Sequence, residues 1–154
     1  MDATDLRILA LLQQDASLTN QDLAARVHVS PATCLRRVGR LEQAGIIERR
    51  VAILSPEKLG AGLTVIVEVT LDQQAAERLE AFELRASADV AVQQCYRVTS
   101  GPDFVLILQV ADMEAYHDAA HRLLAADANV RNVRAFFSVR RAKFSPHIHL
   151  PTGG

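Results

Sequence analysis

The chain has 154 residues, 49% of them hydrophobic and 23% charged, with a formal net charge of -1. That length suits one large domain or two small ones with real apolar cores, and the near-balance of charge excludes both a polybasic tail protein and an acidic disordered one. No apolar run reaches the roughly 18 residues that a membrane-spanning helix needs, and the expectation is a cytoplasmic protein with no membrane contact.

In chain order, the first predicted element is a helix capped by Asp2, with Leu6, Ile8, Leu9 and Leu12 at helical spacing. Its acidic start, MDATD, reads as a helix rather than a secretory leader. DASLTN breaks it. Thr19 caps a second, short helix, with Asp22 at the capping-box position and Leu23, Ala24 and Val27 turned inward. After a tight break at His28 and Val29, Ser30 is an N-cap and Pro31 takes the first helical position. Val29 and Cys34 have hydrophobic-staple spacing. This third helix runs to Gly45, a C-terminal stop. IIERRVAIL is short and β-branched and predicts a small hairpin or wing. SPEKLGAG, with Pro56, Gly60 and Gly62, reads as a hinge.

Beyond the hinge the pattern changes. LTVIVEVTL alternates as a strand, with Val65, Val67, Val69 and Leu71 on one face. QQAAERLEAFELRASA is helical, VAVQQCYRVTS a strand, GPD a turn and FVLILQV a strand apolar on both faces. MEAYHDAAHRLLAA is helical and VRNVRAFFSVRRAKF is a last strand, its basic RRAKF end a solvated edge. The order β-α-β-β-α-β is the split βαβ, or ferredoxin-like, arrangement. The fold class expected is therefore α+β: a winged helix-turn-helix at 1–54, a hinge at 55–62, a ferredoxin-like βαββαβ domain at 63–146 and a loose tail at 147–154. In such a domain both helices cover one sheet face. The other would expose the second apolar side of FVLILQV, of VIVEV and of RAFFSV, so two copies are expected to stack sheet to sheet.

Function is concentrated in the third helix. On a helical wheel Cys34, Leu35, Val38 and Leu41 fall on one face, and Ala32, Thr33, Arg36, Arg40 and Gln43 on the other, with Arg37 on the flank. Small residues near the N-terminal end permit close approach, and the arginines beyond them reach guanine edges or phosphates. Ser30, Ala32, Thr33, Arg36, Arg37 and Arg40 are thus candidate DNA contacts, with Arg49 and Arg50 of the wing on the flanking backbone. A two-fold dimer would match a pseudo-palindromic duplex site. The alternative is a merely solvated arginine-rich face. Residues 1–60 carry 8 Lys+Arg against 7 Asp+Glu, net +1, so affinity per copy should be modest.

LTNQDLAARVHVSPATCLRRVGRLEQAGIIERRVAILSPEKLG resembles the winged helix-turn-helix of the Lrp/AsnC family, the feast/famine transcriptional regulators, and the resemblance covers nearly the whole chain. VTSGPDFVLIL is similar to that family's Gly-x-x-Asp-type loop between the middle strands of its sensing and assembly domain. The resemblance implies tetramers or octamers built from dimers, and a small effector, commonly an amino acid, between dimers. Thr99, Gly101, Pro102, Asp103 and Ala135 are the candidate effector residues. Gly101 would permit close backbone approach and Asp103 would accept from an α-ammonium; the same turn also reads as an ordinary hairpin closed by Asp103. The family position that often carries Thr or Ser is here near Ala135, beside the bulky Phe136 and Phe137.

Other constellations are weaker. His117 and His121 stand one helical turn apart, a spacing able to chelate a metal, but no third ligand is evident. Cys34 and Cys95 have neither disulfide-framework nor zinc spacing and read as reduced thiols. No catalytic residue, cofactor motif or metal site is expected: there is no G-x-S-x-G, P-loop or G-x-G-x-x-G. The rival readings are a metabolite-binding ferredoxin-like protein or enzyme without DNA binding, and an RNA binder, which would carry stacking aromatics on its middle strands.

Overall fold

The computed structural model describes residues 1–60 and 62–150. They form two compact units, Met1–Ile53 together with the C-terminal segment from Lys143, and Leu54–Ala142.

In the first unit, α1 (Ala3–Gln14), α2 (Asn20–Val27) and α3 (Pro31–Gln43) are all capped from the side chain. Asp2 accepts from the Asp5 N–H at 2.9 Å while the Asp5 carboxylate accepts from the Asp2 N–H at 3.0 Å, a complete capping box. Thr19 accepts from the Asp22 N–H at 3.1 Å, and its own hydroxyl donates to the Asp22 carboxylate at 2.6 Å. Ser30 accepts from the Thr33 N–H at 3.2 Å. Ile8, Leu9, Leu23, Ala24, Val27, Cys34, Val38 and Leu41 form the core. Val29 packs against this core, of which Cys34 is a member, in keeping with the staple spacing.

Four expectations for this unit change. Leu35, assigned to the buried face, is 63% exposed. At about 100° per residue it stands roughly a right angle from the Cys34–Val38–Leu41 centre. α3 stops at Gln43, with Ala44 as its cap and Gly45 in the left-handed region at φ 69. The predicted wing forms no strand: Ile46 and Ile47 donate back to Leu41 C=O, and residues 48–54 run without helix or ladder. A strand needs a neighbour for its N–H and C=O groups, and among its described residues the first unit has no other strand. Finally, residues 147–150 of the expected tail are not loose, and 151–154 lie outside the described residues. Ile148 N–H donates to Gln13 Oε1 at 2.8 Å, Gln13 Nε2 donates to Ile148 C=O at 3.3 Å, and Leu150 packs on the helical core.

The second unit begins with a single 3₁₀ turn, Glu57–Leu59, closed by Gly60 at φ 73. Its sheet contains β1 (Leu63–Leu71), β2 (Val92–Arg97), β3 (Phe104–Val110) and β4 (Val130–Phe137), with α4 (Ala76–Ala88) after β1 and α5 (Met113–Ala120) after β3. The order β2-β3-β1-β4, antiparallel throughout, is the ferredoxin-like sheet read from the sequence. α5 runs on into a π turn, His121–Ala125. β4 ends at Phe137, well short of the expected RRAKF edge. Its partner β1 starts at Leu63, and Ser138 N–H to Thr64 C=O at 3.0 Å is the last bond available.

Strand alternation separates two faces. Val65, Val67 and Val69 pair with Leu108, Leu106 and Phe104, and all are buried with Phe82 and Ala86 of α4, Tyr116 and Ala119 of α5, and Leu123 and Leu124. The opposite face carries Ile66, Val105, Ile107, Tyr96 and Phe136, partly or largely exposed and adjacent in register.

Candidate nucleic-acid interface and effector loop

The break between α2 and α3 is set by backbone geometry. His28 adopts the left-handed conformation at φ 58, and its N–H satisfies Ala24 and Ala25 carbonyls at the end of α2. Asn20, the first residue of α2, donates from Nδ2 to Pro31 C=O at 2.8 Å, tying the start of one helix to the start of the next. Away from the core, α3 presents Ala32, Leu35, Arg36, Arg40 and Gln43. Gly39 lies between Arg36 and Gln43 on this face, and a side chain there would meet open space. Ser30 and Thr33 spend their hydroxyls on each other and on the cap, at 2.9 and 3.2 Å.

The five arginines divide into three kinds. Arg36 and Arg49 are exposed and make no hydrogen bond or ion pair among the described residues. Arg50 pairs with Glu42 at 2.8 Å, both exposed. Arg37 and Arg40 turn toward the first turn of α1. Arg37 Nη1 donates to Asp2 at 2.7 Å and to Asp5 Oδ1 at 2.8 Å, and Arg40 Nη2 donates to Asp5 Oδ2 at 2.8 Å. The Arg37 side chain is 21% exposed and its Nε is buried without a partner; that of Arg40 is 57% exposed. Asp5 is fully buried, alone among charged residues in the described chain. Burial by itself would raise its carboxyl, but the Asp2 N–H and the Arg37 and Arg40 guanidiniums outweigh this and hold it below the usual range. Asp2 is lowered to about 2, chiefly by the Asp5 N–H and then by Arg37. The capping-box spacing of Asp2 and Asp5 was visible in sequence; the arginines that complete it lie about 35 residues away, beyond any local pattern.

In the second unit, the turn between β2 and β3 is closed by Val98 N–H to Asp103 C=O at 2.9 Å. Ser100 stands at φ 62 and Gly101 at φ 159, where side chains other than glycine are strained. A Cβ on Gly101 would meet nothing within 4 Å, so its role within one chain is conformational rather than close approach. Asp103 bridges to β1, its N–H donating to Val69 C=O at 2.9 Å and its carboxylate accepting from Leu71 N–H at 2.6 Å. Thr99 is exposed and Pro102 half-buried. Ala135 is opposite Val67 on β4 and packs against the core, so β1 stands between it and this turn.

His117 and His121 line a shallow groove of about 570 Å³ between α5 and β4, with Tyr116, Leu124, Arg131 and Val133. Among the described residues no three His, Cys, Asp or Glu side chains gather as metal ligands, and no helix is long and apolar enough to cross a membrane. Cys34 and Cys95 are free, and burial pushes both thiols up.

A capped helix-turn-helix with an exposed arginine face, followed by a ferredoxin-like sheet, defines a two-part regulator: one unit for DNA, one for a ligand. Residues 1–48 match the winged helix-turn-helix DNA-binding family, and residues 64–148 match the Lrp/AsnC ligand binding domain. An HTH-type transcriptional regulator of Haemophilus influenzae is 38% identical over 143 residues, covering 93% of this chain and 85% of the relative. The leucine-responsive regulatory protein of Escherichia coli is 34% identical over 152 residues, covering 99% and 93%. The crystal structure of a Neisseria meningitidis transcriptional regulator in complex with L-Met superposes with a TM-score of 0.88 at 32% identity, covering 97% of this chain and 96% of that one. The chain belongs to the Lrp/AsnC family of transcriptional regulators. It is a DNA-binding transcriptional regulator with an effector-binding domain, and not an enzyme.

Proposed function

We propose that α3 enters the major groove with Ala32, Thr33, Leu35 and Arg36 toward base edges, while Arg40, Arg49 and Arg50 engage phosphates. The observation that carries this reading is Arg36: central on the exposed face of a capped helix, with no partner among the described residues. Leu35 adds an apolar contact suited to a thymine methyl. Ser30 contributes as the cap that aims the helix. Arg36→Ala should weaken binding of a selected duplex by about 1–3 kcal/mol in fluorescence anisotropy. Equal affinity of mutant and wild type would overturn the assignment.

The duplex read in this way is pseudo-palindromic, because two copies stack through the open sheet face. Ile66 lies between Ile107 and Phe136 in register, and Tyr96 is opposite Val105, so the apolar side chains form one continuous patch. Glu68 and Arg134 neutralise each other on the same face at 3.3 Å. Light scattering should find a dimer or a multiple of it, and Ile107→Asp should release monomers.

The effector in this reading is an amino acid held at Thr99, Gly101, Pro102 and Asp103. The L-Met complex of the Neisseria regulator supports that ligand class. Ala135, separated from the turn by β1, is left outside the site. Titration calorimetry with the L-amino acids tests it: heat that disappears in Asp103→Ala supports the turn, and heat unchanged in that variant removes it. Cytoplasmic residence follows from the same reading.

A further inference from the structure

Two of the arginines on α3 are already spoken for by α1, and they are held in different ways. Arg37 is enclosed, with two carboxylates on Nη1. Arg40 gives one N–H to Asp5 and leaves most of its side chain in solvent. Asp5 in turn has both oxygens engaged: Oδ1 by Arg37, Oδ2 by Arg40 and by the Asp2 N–H. A guanidinium is a rigid planar fork, so anchoring one N–H fixes the direction of the others. An arginine pinned at one end loses less rotamer freedom when it meets a second acceptor.

We propose that Asp5 is a positioning residue for DNA binding: it never touches the duplex, but holds Arg40 so that its outer N–H groups meet a phosphate, and keeps Arg37 withdrawn from the duplex altogether. This deepens, and rests on, the assignment of α3 as the duplex-facing helix. It narrows the arginine face to Arg36 for bases and Arg40 for backbone, with Arg37 a strut between α3 and α1.

The sign of one mutation separates this from simple electrostatics. Asp5→Asn removes a negative charge from the DNA-binding unit, which by Coulomb attraction alone tightens binding to a polyanion. Positioning requires the opposite. The test is fluorescence anisotropy with a labelled duplex selected from a randomised library by the wild-type protein, titrated at several KCl concentrations. Asp5→Asn should bind about tenfold more weakly. The penalty should vanish in the Arg40→Ala background, since nothing remains to be positioned; a penalty that persists there marks a structural role and overturns the proposal, as does unchanged or tighter binding by Asp5→Asn. Arg40→Ala should lower the slope of log affinity against log salt by about one phosphate, whereas Arg37→Met should leave that slope unchanged. Should Asp5→Asn lose its helical circular dichroism, Arg40→Lys decides alone. A lysine keeps the charge but lacks the rigid planar fork that aims a second N–H once the first is anchored, so a severalfold loss supports the proposal and wild-type affinity sinks it. If the wild-type protein selects no duplex, the recognition reading itself falls, a result distinct from every mutant outcome.

Discussion

Among the described residues the helical unit buries eight hydrophobic side chains in its core and the sheet unit fifteen. The smaller core makes up the difference with directed polar ties. Three side-chain caps, the Asn20 to Pro31 bond and the Asp2, Asp5, Arg37, Arg40 cluster all fix orientations; the sheet unit has ties of this kind too, at Asp112, Asp103 and Arg122–Asp89, but sets them on strand register and a larger apolar layer. A surface that must offer particular groups to a duplex needs angles held to within about 10–20°. Hydrophobic burial is non-directional and cannot supply that alone. A sensing layer needs a firm platform, and close-packed Val, Leu and Phe provide one.

Mutations sharpen this contrast. The largest expected effect lies in the sheet unit: Phe104→Ala, fully buried beside the Phe82 ring at 4.7 Å, should cost about 3–5 kcal/mol in chemical denaturation. In the helical unit Leu23→Ala should cost about 2–5 kcal/mol by the same measurement, nearer the lower end because fewer neighbours surround the cavity. Thr19→Ala removes a cap and should cost about 1 kcal/mol. At the small end, Glu83→Gln breaks the exposed pair with Arg97 and should change stability by less than about 0.5 kcal/mol. A Thr19 effect as small as that of Glu83 would break the claim that polar ties matter more in the helical unit.

Acid offers a further probe of the same contrast. Asp2 titrates at about 2 in the folded chain against 3.8 otherwise. Its contribution is therefore complete above pH 3.8 and fades as pH falls from there toward about 2. Asp5, also lowered, acts in the same direction. Stability of the helical unit followed by circular dichroism should fall through this window, and Asp2→Asn should flatten the fall.

Local grammar carried most of the fold. Ser30-Pro31, Thr19 and Asp2 announced helix starts because a cap is a contact between neighbours in sequence, and alternation in LTVIVEVTL and the short run FVLILQV, apolar on both faces, gave the two central strands. The candidate interface was legible as a face, not as a set of partners. Which arginines were free depended on Asp5, whose burial nothing nearby in sequence demands. Leu35 needed a stricter wheel. The lack of a strand in the wing segment and the early end of β4 share one cause: a β-prone segment becomes a strand only where another strand lies beside it. Docking of residues 146–150 on α1 is likewise a long-range fact.

That docking has a topological consequence. The polypeptide leaves the helical body after Ile53 and re-enters it at Lys143, so residues 54–142 amount to an insertion within a discontinuous host. Cutting the chain after Ile53 to isolate the DNA-reading part would leave the segment from Lys143 behind, and the fragment should melt below its intact counterpart.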